Sequence, residues 1–591
     1  MPHYVRHNKV TRVPRNYIYF DSEARREKVA RGEVQTFRCA VACYDRRRHA
    51  AEGWHEPEWG NFSSACDLWQ WIDARAQARA RTVVVAHNLA YDLRITCALT
   101  LLPQLGWELE FIRLDRGQAL CTWKNGGRTL VLVDSMAWLP IALEKVGEMV
   151  AIPKLALPDW DDTDEAWLAR CTRDVQILAA AWRRLVEWVK ADDLGNWKPT
   201  GAGQAWAAYR HRFRYPKMLV HGDDDARAAE RVAAWTGRCE VWQHGKATGG
   251  PFTEWDYSAA YAHIGASCEV PVKLVGSTMR APLARYLKLI TKHAALAEVT
   301  VTTDVPTVPC RVDDHICWPV GTFTTTLWEN EVQLALDHGA AVTIDRCWWY
   351  KRAPALKDFC EWCLSIIDTD DPDYDQVVRY AVKHWSRALI GRFGARWSKW
   401  ETIGVAPSEG LSLGTVIDRA EGTSWRMLHV GTDLKRCTDE YDSPDAVVAV
   451  MSWVMAECRR RLWSLTQLAG QADVLYMDTD SVFTTAAGSE RLLAARLPDV
   501  RSKGTWGSME LLAPRQIIPG GKLRASGVPK GSIRLDDRTW EGEVWSELST
   551  SLRAGEHSSV RIMTRRVKVT GKDARREHLD GGRTSPRRVC V

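Results

Sequence analysis

The sequence predicts a multidomain chain of mixed α/β and α+β character. A length of 591 residues is enough for roughly four domains or subdomains, each with a core of its own. Strand-like apolar runs recur along it, at 17–20, 83–86 and 474–483 among others, and helical patterns lie between them, notably near 164–189 and 375–394. Several of the strand-like runs end on acidic residues, which marks them as sites of chemistry as well as structure.

The most informative of these is Val474-Leu475-Tyr476-Met477-Asp478-Thr479-Asp480-Ser481-Val482-Phe483, two β-rich runs around a doubly acidic tip. Side chains two apart on a strand share a face, so Asp478 and Asp480 are expected to point the same way from a hairpin apex. Two adjacent carboxylates are costly unless a cation neutralises them. The string Tyr-x-Asp-Thr-Asp-Ser resembles motif C of family B DNA polymerases. Upstream, Pro251 to Tyr261 reads as a strand that ends on Asp256 and turns into a helix. It resembles motif A of the same family, an Asp followed five residues later by a Tyr. The resemblance implies two divalent ions bridged by Asp256 and Asp480, with Asp478 close by, and implies that the Tyr261 ring excludes a 2′-hydroxyl on the incoming sugar. Ala259, Ala260 and Ala262 stand where the family usually has Ser, Leu and Pro.

Between these motifs the stretch from Asp375 to Gly394 has helical spacing, with two glycines expected to mark its end. Arg379, Lys383 and Arg387 are four apart and share one face. The stretch resembles motif B, the fingers helix, and Lys383 matches the lysine that grips the triphosphate. The family's Asn-Ser-x-Tyr-Gly is replaced by Arg387-Ala388-Leu389-Ile390-Gly391, which implies altered base selection.

The first 190 residues hold a second acidic set. Asp21 and Glu23 share one face of a strand, Val83 to Ala86 is a further strand followed by His87-Asn88-Leu89-Ala90-Tyr91-Asp92, and Asp174 lies in the helix predicted from about Asp164 to Val189. These resemble the three exonuclease motifs of proofreading polymerases. Asp21, Glu23, Asp92 and Asp174 are then metal ligands, and Asn88 and Tyr91 contact the frayed DNA strand. Arg170 stands where the third motif usually has Tyr. Helical spacing aims it at Asp174, where it would compete with a metal or orient the attacking water.

Other segments resemble the protein-primed subset of the family, found in bacteriophages and linear plasmids. Long stretches flank motif B, at 265–375 and 395–445, and leave room for that subset's two insertions. Asp134-Ser135-Met136-Ala137-Trp138-Leu139 resembles a motif that contacts primer strand and terminal protein through Ser135, and Trp235-Thr236-Gly237-Arg238 is a loose version of Tyr-x-Gly-Gly. Gly391 and Lys522 are further DNA contacts on this reading, Lys522 standing for the family's Lys-x-Tyr without its Tyr. The resemblance implies a ribonuclease-H-like 3′–5′ exonuclease domain at 1–190, followed by a right-hand polymerase domain. In the latter, palm occupies 191–275 and 446–515, and fingers 356–395. An insertion contacting the terminal protein occupies 276–355, a second insertion for processivity 396–445, and the thumb with a basic C-terminal tail 516–591. It implies two Mg²⁺ per active site, replaceable by Mn²⁺, and DNA template, primer, dNTPs and a terminal protein as partners of a monomer.

Composition is compatible with this. Net charge is only +6, yet residues 561–591 carry ten Lys/Arg against three Asp/Glu, which suits DNA backbone contacts. The glycines there predict a mobile tail over the last twenty residues. Thirty Trp are expected mostly as packing residues, some as stacking faces for single strands. Sixteen Cys without framework spacing predict reduced thiols in an intracellular protein, and the resemblance to the phage and plasmid enzymes implies the cytoplasm of a bacterial host cell. Cys360 and Cys363 form a lone Cys-x-x-Cys, expected to be buried. No charged-then-apolar signal pattern opens the chain, and no run reaches the ~18 apolar residues that span a bilayer. Two alternatives remain: a primer-independent or RNA-copying, defence-associated relative, and a catalytically reduced DNA-binding replication factor.

Overall fold

The computed structural model describes the chain apart from residues 1, 31, 49–52, 116–117, 419–422, 520–523, 526–527, 530, 537, 554–557, 570–572 and 591. Lys522 therefore lies outside the described residues.

Strands Asn16–Val29, Arg81–Ala86 and Arg128–Asp134 run parallel and adjacent in a large mixed sheet. Their near-continuous apolar residues suit strands covered on both faces. Helix Asp164–Ala191 packs on one side and Ala65–Arg75 on the other. Thr163 opens the longer helix by accepting from the Ala166 N–H, in agreement with the predicted start.

This sheet does not end with the first domain. Strand Val560–Lys568 pairs with Gly32–Arg46, and Thr539–Trp545 pairs with Val560–Lys568, so segments from the far end of the chain extend it. Gly32 permits the junction. Its φ is +111°, and a Cβ there would sit 2.1 Å from the Ile562 carbonyl oxygen.

A second sheet orders Cys239–Val241, Val474–Asp478, Ser481–Thr484, Phe252–Tyr257 and Val500–Trp506, all antiparallel. It brings together the two acidic segments that the sequence separates by more than two hundred residues. Helix Val448–Ala469 backs it.

Residues 270–353 build a third sheet from Val270–Met279, His293–Thr303, Val320–Trp328 and Ala341–Ala353, with a core of its own around Val299, Phe323, Val332 and Ile344. Between the fingers helix and helix Val448–Ala469 extends a long hairpin, Arg396–Asp418 with Thr423–Asp442. Arg231 fastens its base by pairing with Asp442 and donating to the Gly394 carbonyl at 2.8 Å.

The C-terminal segment departs from expectation. Instead of a mobile tail, Arg588–Cys590 pairs in parallel with Val320–Trp328, and Arg576 is buried. Among its described residues Arg575, Arg576 and Arg583 find partners at the Cys239 carbonyl, Glu240 and the Val474 carbonyl, and Gly581 and Gly582, both at positive φ, turn the chain between paired strands.

Helix Gln376–Phe393 starts at Asp375, whose Oδ1 accepts from the Val377 and Val378 N–H groups. It ends with Gly394 as cap. Gly391 lies within the helix rather than ending it, exposed and with open space around it. Trp385 on this helix is fully buried against Trp138 and Trp188, with ring centroids at 5.5 and 4.8 Å, and so joins the first domain to the second. Trp385→Ala is expected to destabilise this junction by about 3–5 kcal/mol, measured as a lowered midpoint in urea unfolding of the full chain.

Candidate functional site

Two acidic clefts stand on the two larger sheets. In the first, Asp21 and Glu23 share a face of Asn16–Val29, and Asp174 reaches them from helix Asp164–Ala191. One oxygen from each lies within 4.8 Å of the others. Burial pushes the Asp21 carboxyl well above its ordinary value, and Asp174, Glu23 and Asp92 push it further. Burial likewise raises Glu23 to about 7, against the pull of Arg170. Asp174 Oδ1 is buried without a hydrogen-bond partner. Crowded oxygens, mutual repulsion and an orphaned acceptor fit a hard divalent cation.

Asp92 stands beside this group, near enough to raise Asp21, but its Oδ1 accepts from Ser22 Oγ at 2.6 Å. Three of the four expected ligands thus form the tight cluster and Asp92 flanks it. Arg170 is drawn further than helical spacing alone predicts. Its Nη1 donates to Glu23 Oε1 at 3.0 Å, while Nη2 stays 4.0 Å from Asp174 Oδ2. Lys154 Nζ donates to Asp174 Oδ2. Lys154 was not legible in the sequence, because it lies in an irregular segment with no periodicity to aim it.

Asn88 takes φ +70° at the start of helix Leu89–Ile95, and the Asp134 carboxylate holds that turn through the N–H groups of Asn88, Leu89 and Met136 at 2.9–3.2 Å. Asn88, Tyr91 and Gln118 line a cavity closed by Trp545 and Ser546. The Tyr91 hydroxyl donates to Gln35 Oε1 at 3.0 Å. Ser135 is different from what its motif suggests. It is 1% exposed, with Oγ 2.8 Å from His87 Nδ1. Asp134 draws the turn inward, so the hydroxyl faces the interior instead of a DNA strand.

In the second cleft, Asp256 ends strand Phe252–Tyr257 opposite Ser481, and Asp478 pairs with Ser481 across the hairpin. Thr479, with φ +60°, makes the tight turn. Asp256, Tyr261, Arg387, Asp478 and Asp480 all line a cleft of about 810 Å³. Burial raises Asp480 to about 7, with Asp256 and Asp478 adding to the shift and Arg387 opposing it. The expected common direction of Asp478 and Asp480 is only partly realised. Asp478 turns to the Tyr476 and Thr479 hydroxyls at 3.2 and 2.9 Å, and among the described residues these three aspartates make no triad as tight as the first cleft's. Lys503 Nζ lies 3.2 Å from Asp256 Oδ1. The mutual repulsion of Asp256 and Asp480, with cations already drawn to the site, fits divalent metal.

A neighbouring cleft is lined by Arg379, Lys383 and Arg501 together with Ser258. Burial lowers Lys383, with Lys503 and Arg387 adding. Arg379 Nε also donates to the Ile367 carbonyl at 2.8 Å. The cationic face of the fingers helix therefore spans both clefts, Arg387 beside the aspartates and Lys383 above them. Arg501 and Lys503 were missed in the sequence although their two-residue spacing on a strand was a usable sign. The Tyr261 ring stands in the wall of the aspartate cleft, its hydroxyl 3.4 Å from Met455 Sδ.

Carboxylates from separate strands of a palm-like sheet, beside a cationic helix and behind an acidic α/β domain, define a nucleotidyl-transfer polymerase of right-hand layout. Residues 158–421 match the family model described as DNA polymerase type B, organellar and viral. Over that stretch, a little under half of its length, the chain is similar to the type B DNA polymerases. No curated protein matches it in sequence. Solved structures resemble it over nearly its full length, among them Phi29 DNA polymerase complexed with single-stranded DNA (TM-score 0.66). Phi29 DNA polymerase complexed with primer-template DNA and incoming nucleotide substrates is another (TM-score 0.65). Each is 13% identical, covering 94% of this chain and 100% of the other. The likeness establishes the fold: an exonuclease-like α/β domain followed by palm, fingers and thumb.

Arg170→Ala removes a cation from the first carboxylate cluster. In a chain whose Asp256 and Asp480 are changed to Asn, Mn²⁺ should then bind about tenfold more tightly, read by calorimetric titration. Unchanged affinity would mean that the guanidinium swings clear when metal arrives.

Proposed function

We propose that this DNA polymerase edits its product through a 3′–5′ exonuclease at the first cleft and begins synthesis on the hydroxyl of a separate terminal protein. The observation that supports the second half is the sheet of residues 270–353, whose outer face has a hydrophobic core of its own around Val299 and Phe323, while Leu296, Trp328 and Trp348 join its inner face to the main core. Extension of an ordinary primer has no use for such a body, whereas a second macromolecular substrate held beside the cleft does.

On this reading Asp256 and Asp480 hold Mg²⁺, with Mn²⁺ able to replace it, and Asp478 tunes the site through Tyr476 and Thr479. Two such ions activate the attacking hydroxyl and offset charge on the phosphate when bound. Arg379, Lys383 and Arg387 receive the triphosphate along the helix face, joined by Arg501. Lys503 neutralises Asp256 until substrate arrives. Tyr261 closes the cleft wall against a 2′-hydroxyl. Gly391, exposed on the same helix, leaves room for template backbone. In the first cleft Asp21, Glu23 and Asp174 hold the metals with Asp92 alongside. Asn88 and Tyr91 receive the frayed 3′ end under Trp545, and Lys154 orients Asp174. The sixteen free thiols suit action in the cytoplasm of a bacterial host, and no described helix is long and apolar enough to cross a membrane.

Asp256→Ala and Asp480→Ala are each expected to reduce primer extension by about 10³-fold or more while DNA binding in gel shift persists. Near-normal extension by either variant would reassign the site.

Asp21→Ala combined with Glu23→Ala should abolish shortening of a 3′-labelled single strand and leave polymerisation intact, because the two carboxylate groups lie on different sheets. If the unmodified protein shortens no 3′ end with either Mg²⁺ or Mn²⁺, the editing assignment fails.

The priming half is tested with a partner encoded beside this gene. A protein–dNMP adduct that survives boiling in detergent is expected with dNTP and metal. Deleting residues 322–345 should remove the adduct and spare extension of a DNA primer. Equal loss of both would return that sheet to an ordinary structural role.

A further inference from the structure

The apex of the hairpin that carries Asp478 and Asp480 rests on a short segment from elsewhere in the chain. The Thr479 N–H donates to the Arg238 carbonyl at 2.7 Å. Gly237 is pressed so closely on this turn that a Cβ would lie 2.6 Å from Thr479 Oγ1. Cys239 pairs directly with Asp478, and its Sγ is 3.1 Å from the Tyr476 hydroxyl that donates to Asp478.

Behind this contact lies a charged cluster sealed from water. Arg238, Glu240 and Arg576 are 1%, 0% and 6% exposed. Arg238 Nε donates to Glu240 Oε2 at 2.7 Å and Arg576 Nη1 to Glu240 Oε1 at 3.0 Å. The Arg238 guanidinium lies between the rings of Trp318 and Trp463, at 5.0 and 4.8 Å, and donates to the Pro306 carbonyl at 2.8 Å. Burial opposes ionisation of Glu240, yet the two guanidiniums hold its carboxyl below the ordinary value.

Arg576 belongs to the C-terminal segment, which wraps the back of strand Cys239–Val241. Arg575 donates to the Cys239 carbonyl at 2.9 Å, Asp573 accepts from the Val241 N–H at 3.2 Å, and Thr584 Oγ1 donates to the Val241 carbonyl at 2.6 Å. Thr584 in turn accepts from Arg576 Nε at 2.8 Å. The Cys239 carbonyl and both backbone groups of Val241 are thereby engaged by residues 573–584. Removing one member of a buried ionic cluster leaves the others uncompensated, so its geometry is tightly determined.

We propose that the Arg238–Glu240–Arg576 cluster, with the C-terminal segment that supplies Arg576, is a positioning device for the polymerase aspartates, fixing the Asp478–Asp480 turn from behind. These residues touch neither nucleotide nor metal and act through the turn. The inference rests on the polymerase reading of Asp256 and Asp480. Because triphosphate is received by a different element, the fingers helix, a fault in the turn should slow the chemical step and leave nucleotide affinity nearly unchanged.

The test is single-turnover incorporation by the full chain, with active enzyme counted from the pre-steady-state burst amplitude. Arg576→Gln should lower the rate per active molecule about tenfold, with the dNTP dissociation constant changed less than about twofold. Arg576→Lys, which restores the charge, should recover part of that rate. Thr584→Val, a smaller change that keeps every charge, should cost about threefold and decides the matter if Arg576→Gln does not fold. A loss found wholly in burst amplitude, with the rate per active molecule unchanged, would overturn the proposal and leave the cluster a purely structural one. Asp480→Asn serves as the reference. If it keeps full activity, the site assignment fails. If it is inactive while Thr584→Val and Arg576→Gln keep full rate, only the positioning role fails.

Discussion

Repulsion between buried carboxylates is the constraint on which the rest of this structure depends. Asp21, Glu23 and Asp174 crowd one point, and Asp256 and Asp480 face each other at another. Left alone, such groups would move apart or take up protons, and Glu23 and Asp480 are raised first by burial and then by the neighbouring Asp174 and Asp256 carboxylates. Rigid elements resist it. Strand pairing fixes Asp256 against Ser481 and Asp478 against Cys239, and the long helix carrying Asp174 is locked by Trp182 and Leu185 in the core. Cations from the chain complete the restraint: Lys154 and Arg170 at one site, Lys503 and Arg387 at the other. The two sites reach the same electrostatic solution on different scaffolds.

Much of this was legible in the sequence, because strand and helix periodicities act locally. Alternation placed Asp21 with Glu23, and helical spacing aligned Arg379, Lys383 and Arg387. What failed to show were meetings between segments far apart in the chain. Nothing in the irregular stretch around Lys154 says that its ammonium reaches Asp174. Ser135 looks like a surface hydroxyl until the Asp134 carboxylate is seen drawing its turn inward. The basic C-terminal residues read as a solvated tail, since a count of charges cannot reveal that Glu240 waits for Arg576 inside the protein. The two-residue spacing of Arg501 and Lys503 was visible, yet its meaning depends on pairing with the strand of Asp256, a contact that spans most of the palm.

The hydrophobic material is used in the same economical way. Trp385 sits where the first domain, the palm and the fingers helix converge, and its neighbours Trp138 and Trp188 come from two different parts of the nuclease-like domain. A large flat ring cannot withdraw without leaving a void, so Trp385 anchors this face of the fingers helix against the first domain. Its cationic face spans two clefts because the opposite face is pinned.

The strands from the thumb that continue the first domain's sheet at Gly32 carry a mechanical consequence. Three residue pairs, Val560 with Gln35 through Ile562 with Glu33, tie the C-terminal strands to the first domain by backbone hydrogen bonds and not by side-chain packing alone. Both ends of the chain therefore share one wall of the first cleft, where Trp545 and Ser546 from the C-terminal part meet Asn88 and Tyr91.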